Sequence, residues 1–351
     1  MVVVSKSNYL KTINSVLVPR ITEQALVLDL FSGCGGLSLG FEAAGFKVIG
    51  YEMDSMACET HNKNLKGKCH AVKLNLDFEY PDADIIIGGP PCQPFSLRGT
   101  RKGRSDTRDG FPIFINAIKK IQPQIFLFEN VRGLLYSSKK YFEKILFELR
   151  NLGYIIDYKL LNAVNYGVPQ NRERLFVVGH KAKFKFPSEE LNQVTVGEAI
   201  GDTMFTVLDE SKFLTPSMDN YIAAYEKASY CVNPRDLYAN KPARTLTCRN
   251  LAAATSDMQR VKLKDGRRRR LSIRESARLQ SFPDWFEFCG NEMQQFYQIG
   301  NAVPPLLAYK IALSIKECYN KGKIYSTKEI FENNLQPNQI PTLFGYEEIY
   351  K

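Results

Sequence analysis

No apolar run in this 351-residue chain approaches the roughly 20 residues needed to cross a bilayer. The opening residues, Met1-Val2-Val3-Val4-Ser5-Lys6, form too short an apolar stretch for a signal peptide. Histidine is scarce: His61, His70 and His180 do not cluster with cysteines. The eight cysteines (Cys34, Cys58, Cys69, Cys92, Cys231, Cys248, Cys289 and Cys318) are spread without metal-ligand spacing. Neither a zinc site nor a disulfide framework is expected in a chain this long. A reducing compartment, the cytoplasm, fits better. Internal repeats and low-complexity tracts are also missing, so a repeat architecture is excluded.

What remains is ordinary for a globular protein. Apolar residues make up 44% and charged residues 24%, enough for a sizeable core. The length suggests two domains, or one with a large insertion. Lys and Arg exceed Asp and Glu by 47 to 37, giving +10. That surplus fits a polyanionic partner, nucleic acid first, and equally a merely basic surface.

Chemistry concentrates at Gly88-Gly89-Pro90-Pro91-Cys92-Gln93-Pro94-Phe95-Ser96. It follows the buried-strand pattern Asp84-Ile85-Ile86-Ile87, and its glycines and prolines stop the strand. Cys92 is thus expected on a stiff loop at a strand's carboxyl end, where open α/β sheets bind ligands. A thiol there acts as a nucleophile if its proton is taken, or packs as a small apolar residue. Earlier, Ala25 to Phe31 reads as a strand, Ser32-Gly33-Cys34-Gly35-Gly36 as a glycine turn, and Leu37 to Ala44 as a helix. Glu52 ends the next strand about twenty positions on, where such folds hold ribose hydroxyls, so an adenosine-type ligand is expected. A helix is expected from Ser55 to Leu65 and a strand near Ala71 to Leu74. Asn75 or Asp77 beyond it either touches an adenine edge or serves a turn.

The polar, basic stretch Arg98 to Gly110 reads as a lid over an anionic substrate or as a solvated loop. Glu129 follows the apolar run Ile125 to Phe128, and is either a proton donor of raised pKa or a helix-capping or salt-bridged residue. Arg172 and Arg174 alternate before the strand Leu175 to Gly179, so they share one direction on extended chain. They face the site or a sheet edge. The strand–helix pattern fades after about Lys185. The irregular segment to Asp265 reads as a second, smaller domain. Arg267-Arg268-Arg269-Arg270 is either a solvated face or a phosphate contact, and Arg270 to Leu279 reads as a basic helix.

These segments, taken in order, resemble a bacterial cytosine-C5 DNA methyltransferase of the restriction-modification type. The matching stretches are Asp29 to Gly36, Glu52, Gly89-Pro90-Pro91-Cys92-Gln93, Glu129-Asn130-Val131, Gln170 to Arg174, Arg274 to Gln280, and Gly300-Asn301-Ala302-Val303-Pro304. The resemblance implies an α/β, Rossmann-like large domain that binds S-adenosylmethionine, with a smaller, irregular target-recognition domain and double-stranded DNA between them. It divides the chain into a catalytic and cofactor-binding domain (1–185), a target-recognition domain (186–269), and a return to the large domain with a peripheral tail (270–351).

It also implies roles. Cys92 attacks C6 of a flipped cytosine, Glu129 protonates N3, Arg174 holds O2 and helps orient Glu129, and Arg172 supports the loop. Phe31, Gly33, Gly35, Leu37, Glu52, Asp77 (or Asn75) and Asn301 would line the cofactor pocket. Gln93, Ser96, Arg98, Arg108, Thr245, Leu246 and Arg249 would contact DNA. No metal is needed. A monomer paired with a restriction endonuclease is expected. Three rivals stand beside this reading. An RNA cytosine methyltransferase shares the motifs, but its Cys-Phe-Thr signature is missing here. An inactive regulatory relative would not need Cys92 and Glu129. A nicotinamide-dependent dehydrogenase would use the glycine turn but has no role for the proline-flanked cysteine.

Overall fold

The structure, a computed structural model, describes residues 8–91, 109–206, 209, 212–228, 235–252, 257–321 and 324–332. Short, continuously apolar strands build its centre, as parallel sheets buried on both faces require. β1 (Leu26–Leu30), β2 (Lys47–Glu52), β3 (Cys69–Ala71), β4 (Ile85–Gly88) and β5 (Ile125–Val131) run parallel. β6 (Ile155–Asn162), the two-residue β7 (Gln170–Asn171) and β8 (Glu173–His180) follow. The main sheet has seven strands in the order β3-β2-β1-β4-β5-β8-β6. In it β8 lies antiparallel to both of its neighbours.

Side chains alternate across this sheet. Leu28, Leu30, Ile86, Phe126, Phe128 and Val177 enter one core layer, while Val27, Ile85, Ile87, Leu127 and Val178 enter the other. The helices before β6 are α1 (Asn8–Val16), α2 (Gly36–Ala44), α3 (Ser55–Asn64), α4 (Phe111–Ile121), the single turn α5 (Gly133–Tyr136) and α6 (Lys139–Asn151). α4 and α6 cover the first layer through Phe111, Phe114, Phe142 and Leu146. Phe114 meets Phe126 and Phe128 edge-on, the arrangement aromatic quadrupoles favour.

After β8 come α7 (Val196–Ile200), α8 (Pro216–Ala228), β9 (Ala243–Arg244), α9 (Cys248–Ala252), β10 (Arg260–Lys262) and β11 (Arg268–Arg270). The chain closes with α10 (Ile273–Leu279), α11 (Glu292–Asn301), α12 (Pro305–Lys321) and α13 (Thr327–Glu332). α1, α2 and α12 cover the second layer. Residues Val196, Ile200, Leu237, Leu246 and Val261 join that same layer. Leu214, Ile222 and Met258 form a small cluster of their own.

Three expectations need correction. The strand placed at Ala71 to Leu74 lies at Cys69–Ala71, where Cys69 to Ala71 pair with Gly50 to Glu52. The helix expected from Arg270 begins at Ile273, because Ser272 and Glu275 form a capping box there. The arginines before it are not an open basic face. β11 pairs with β10, Arg268 meets Asp219 and Asp236, and Arg269 is buried against Glu275 and the carbonyls of Thr203 and Met204. Arg267 stays on the surface, paired with Asp265.

The strand order reverses between β1 and β4, the position where open α/β sheets bind ligands. The glycine turn after β1 and the Gly-Pro-Pro segment after β4 both open there. α2 can approach so closely to α12 because residue 40 has no side chain. A Cβ on Gly40 would stand 2.4 Å from the Tyr309 nitrogen and 2.5 Å from the Ala308 Cβ. Gly40→Ala should therefore lower stability by about 1–3 kcal/mol through overpacking. Chemical denaturation with an unchanged midpoint would contradict this packing.

Candidate active site

Glu129 lies inside β5, not beyond its end, and it stands where three chain segments meet. Its Oε1 accepts from Arg174 Nε at 3.0 Å, and its side chain is 13% exposed. Its Oε2 faces Gly89, 3.8 Å from where a Cβ would stand. The antiparallel course of β8 produces the pairing with Arg174. Val131, at the carboxyl end of β5, stands opposite Arg174, at the start of β8. A parallel strand would have carried that arginine to the far edge. Burial raises the Glu129 pKa above 4.5, against the lowering effect of the Arg174 and Arg172 charges. The carboxyl therefore keeps a proton to higher pH than an exposed one, with one oxygen fixed by an arginine and the other turned to the loop.

Arg172 does not touch Glu129. It is 2% exposed and donates to three carbonyls, Leu246 at 2.6 Å, Gly300 at 3.1 Å and Ala302 at 3.0 Å. Burial lowers its pKa, with the Arg174 charge adding to the effect. Gln170, fully buried, accepts from Leu246 N at 2.8 Å and donates to Gln280 Oε1 at 2.5 Å. Gln280 in turn donates to Ala302 O at 2.6 Å. The loop is held on its other side by Asn130, whose Nδ2 donates to Pro90 O at 2.9 Å. Gly110 N donates to Pro91 O at 2.9 Å, bringing the two described flanks of the cysteine loop together. Asn130, Gln170 and Gln280 were present in the motifs but carried no assigned role. Their partners are distant in sequence, so no local pattern reveals them.

Cys92, Gln93, Ser96, Arg98 and Arg108 lie outside the described residues. Val131, Arg132, Glu173, Arg174, Asn171 and Thr245 line a recess of about 410 Å³ beside Glu129. Thr245 Oγ1 donates to Asn171 O at 2.6 Å, so this segment forms the recess wall. Leu246 is buried in the core; its backbone, not its side chain, meets the site. Arg249 is exposed on α9.

The glycine turn sits at the carboxyl ends of β1 and β2. Phe31, Gly33 and Gly35 all have positive φ, at 62°, 54° and 90°. A Cβ on Gly33 would meet nothing within 4 Å, whereas one on Gly35 would stand 2.8 Å from the His61 ring. Space in front of Gly33 is thus free for a ligand. Glu52 accepts from Gly33 N at 2.8 Å, Met53 N at 2.8 Å and Asp54 N at 2.9 Å. A carboxylate has about four acceptor positions, so one remains for a hydroxyl. These residues fit an adenosine-bearing ligand. Leu37 is buried in the core beside the turn. Asn75 accepts from Asp77 N at 2.9 Å, which is turn chemistry, and leaves the Asp77 side chain exposed. Asn301 is exposed at the end of α11. The segment after it reaches the turn, since a Cβ on Gly36 would stand 2.5 Å from Val303 O.

Beneath the turn, Ser38 Oγ donates to Asp29 Oδ2 at 2.6 Å and lies 3.1 Å from His61 Nε2. All three residues are buried. Burial pushes Asp29 up to about 7 and His61 down to about 4.

A family model for the C-5 cytosine-specific DNA methylases matches residues 26–317. Type II methyltransferase M.AplI of Arthrospira platensis is 58% identical over 299 residues, covering 84% of this chain and 87% of that protein. Type II methyltransferase M.FnuDI of Fusobacterium nucleatum is 37% identical over 350 residues, covering 88% and 99%. The crystal structure of the S. pombe Dnmt2 methyltransferase superposes with a TM-score of 0.67 at 21% identity, covering 84% and 99%.

His61 carries a pH prediction. Its folded pKa of about 4 lies below the ordinary 6.5. As pH falls from 6.5 to 4, the unfolded chain gains a proton that the folded chain refuses, and stability is lost. The raised Asp29 contributes with the opposite sign, so the comparison must be made within a pair. The stability difference between the wild type and His61→Gln should change by about 3 kcal/mol between pH 7 and pH 4. A pH-independent difference in denaturation experiments would contradict a neutral buried His61.

Proposed function

Because the chain belongs to the C-5 cytosine-specific DNA methylases, we propose that it methylates C5 of a cytosine swung out of duplex DNA, with Cys92 as nucleophile and Glu129 as the N3 proton donor. The family is one of enzymes whose methyl donor is S-adenosylmethionine, which when bound supplies a methyl group on a positively charged sulfur. The observation that carries the assignment of roles is the Glu129–Arg174 pair, a carboxyl with raised proton affinity bonded to a guanidinium that lines a recess.

C5 of cytosine is a weak nucleophile within an aromatic ring. Bond formation between the Cys92 sulfur and C6 breaks the aromaticity and pushes electron density toward N3 and O2. Glu129 donates its proton to N3 as that charge develops, and Arg174 holds O2. C5 then takes the methyl group. Loss of the C5 proton to water restores the C5–C6 double bond and expels the thiolate, and the N3 proton returns to Glu129. Arg172 acts through others: it fixes the strand that carries Arg174. Flipping the base costs a few kcal/mol, and contacts from the cysteine loop and the recognition segment offset it.

Phe31, Gly33, Gly35, Leu37, Glu52, Asp77 and Asn301 surround the cofactor in this reading, with Glu52 receiving a ribose hydroxyl. Residues 1–185 form the catalytic and cofactor-binding domain, 186–269 the target-recognition domain and 270–351 the return and tail. Gln93, Ser96, Arg98, Arg108, Thr245 and Arg249 face DNA, with Leu246 anchoring that surface. The protein acts as a cytoplasmic monomer on a short, specific sequence, and protects it from a partner restriction endonuclease.

Methyl transfer from labelled S-adenosylmethionine to duplex DNA tests this reading, with tRNA in parallel. Duplex DNA should be labelled. Cys92→Ala should abolish label, and Glu129→Gln should slow it by about 10²–10⁴-fold. Label confined to tRNA would move the function to RNA, and wild-type rates in Glu129→Gln would remove Glu129 from the chemistry.

A further inference from the structure

Beside the recess at Glu129 lies a second, of about 330 Å³, lined by Asn171, Arg244, Thr245, Thr247, Asn250 and Asp257. The two share Asn171 and Thr245 as a common wall. We propose that Arg244 reads a guanine of the target sequence in this second recess, through that base's adjacent N7 and O6 acceptors. The inference rests on the cytosine methyltransferase reading and deepens it.

The other groups that line this recess are already engaged. Asn250 accepts from Thr247 N at 2.8 Å and donates to Thr245 O at 2.9 Å. Asp257 is paired with Arg235. Thr245 donates to Asn171 O. The neighbouring arginines are also engaged: Arg260 with Glu226 and Asp236, Arg268 with Asp219 and Asp236, Arg269 with Glu275, and Arg270 with Ala252 O. Among the described residues of 235–270, Arg244 and Arg249 alone have an exposed guanidinium with neither an ion pair nor a hydrogen bond. Of these two, Arg244 lines the recess.

Its backbone is held on both sides. Arg244 stands opposite Asn171 in the β7–β9 pairing, and its carbonyl accepts from Gln259 Nε2 at 2.9 Å. The following residues are tied to Gln170 and Arg172, on the strand that leads to Arg174. The backbone that carries this fork of unused donors is thus held relative to the strand carrying Arg174. Such a fork selects a ligand with two adjacent acceptors. Guanine offers them on its major-groove edge, and phosphate offers them too. Its recess shares a wall with the one that Arg174 lines, and its segment is bonded to the strand carrying Arg174, which favours a base of the target sequence.

The test uses the full chain and a duplex library randomised around the methylated cytosine, with products mapped by sequencing. Wild type should require guanine at one or more positions. Arg244→Ala should relax one of them, lowering guanine discrimination there about ten- to a hundredfold, while preferences elsewhere and the salt dependence of the rate hold. Arg244→Lys, which keeps the charge without the fork, should lose the same discrimination. Unchanged guanine preference in both variants would overturn the inference alone. So would a uniform loss across all sequences with a shallower salt dependence in Arg244→Ala, the mark of a phosphate contact. No label in DNA with wild type would instead overturn the reading beneath it.

Discussion

A single buried guanidinium fixes the relative positions of three distant parts of this chain. Arg172 reaches Leu246, Gly300 and Ala302, which lie 74, 128 and 130 residues away. An arginine taken out of water is costly unless it finds acceptors, and here they are main-chain carbonyls of the chain around Leu246 and around Gly300 to Ala302. Gln170 and Gln280 complete the knot. Gly300 is part of the same constraint, because a Cβ there would stand 2.2 Å from Cys248 N. The segment around Leu246 is thus bonded to the strand carrying Arg174.

Glu129 lives in the field that this arrangement creates. Desolvation raises its proton affinity, while the two arginines oppose that rise. Arg174 touches it and Arg172 acts at longer range, its two terminal nitrogens being bonded to main-chain carbonyls. The net result is a carboxyl that stays protonated beyond the usual carboxylate range while remaining oriented by a charge. That combination suits a proton donor to a ring that gains negative charge. The glycine turn solves a different problem. Gly35 is required by the His61 ring behind it, and Gly33 leaves space in front, so one turn is closed on its protein side and open on its ligand side.

The local features were legible in the sequence. The strand, glycine turn and helix from Leu26 to Ala44 appear as read, because each is specified by neighbouring residues. The resemblance implied that Arg174 orients Glu129, and the two side chains meet; the antiparallel insertion of β8 that brings them together is what periodicity cannot reveal. Arg267 to Arg270 looked like one basic face. Its members diverge because strand alternation and acidic partners from α8 and α10 claim them separately. Leu246 looked like a DNA contact, yet it is buried and contributes its backbone. Asn75 was open between two roles, and its own turn occupies it. For Leu246 and Arg268 the missing information was a partner far along the chain; for Asn75 it was which of two nearby roles its turn would claim.

The most direct test of this account is the titration of Glu129 itself, followed by carbon-13 NMR of labelled glutamate and assigned with Glu129→Gln. The account predicts a midpoint above the ordinary 4.5, with the carboxyl protonated where exposed glutamates are ionised. A midpoint at or below 4.5 would mean that the two arginines outweigh burial, and Glu129 would then be a fixed anion and not the proton donor.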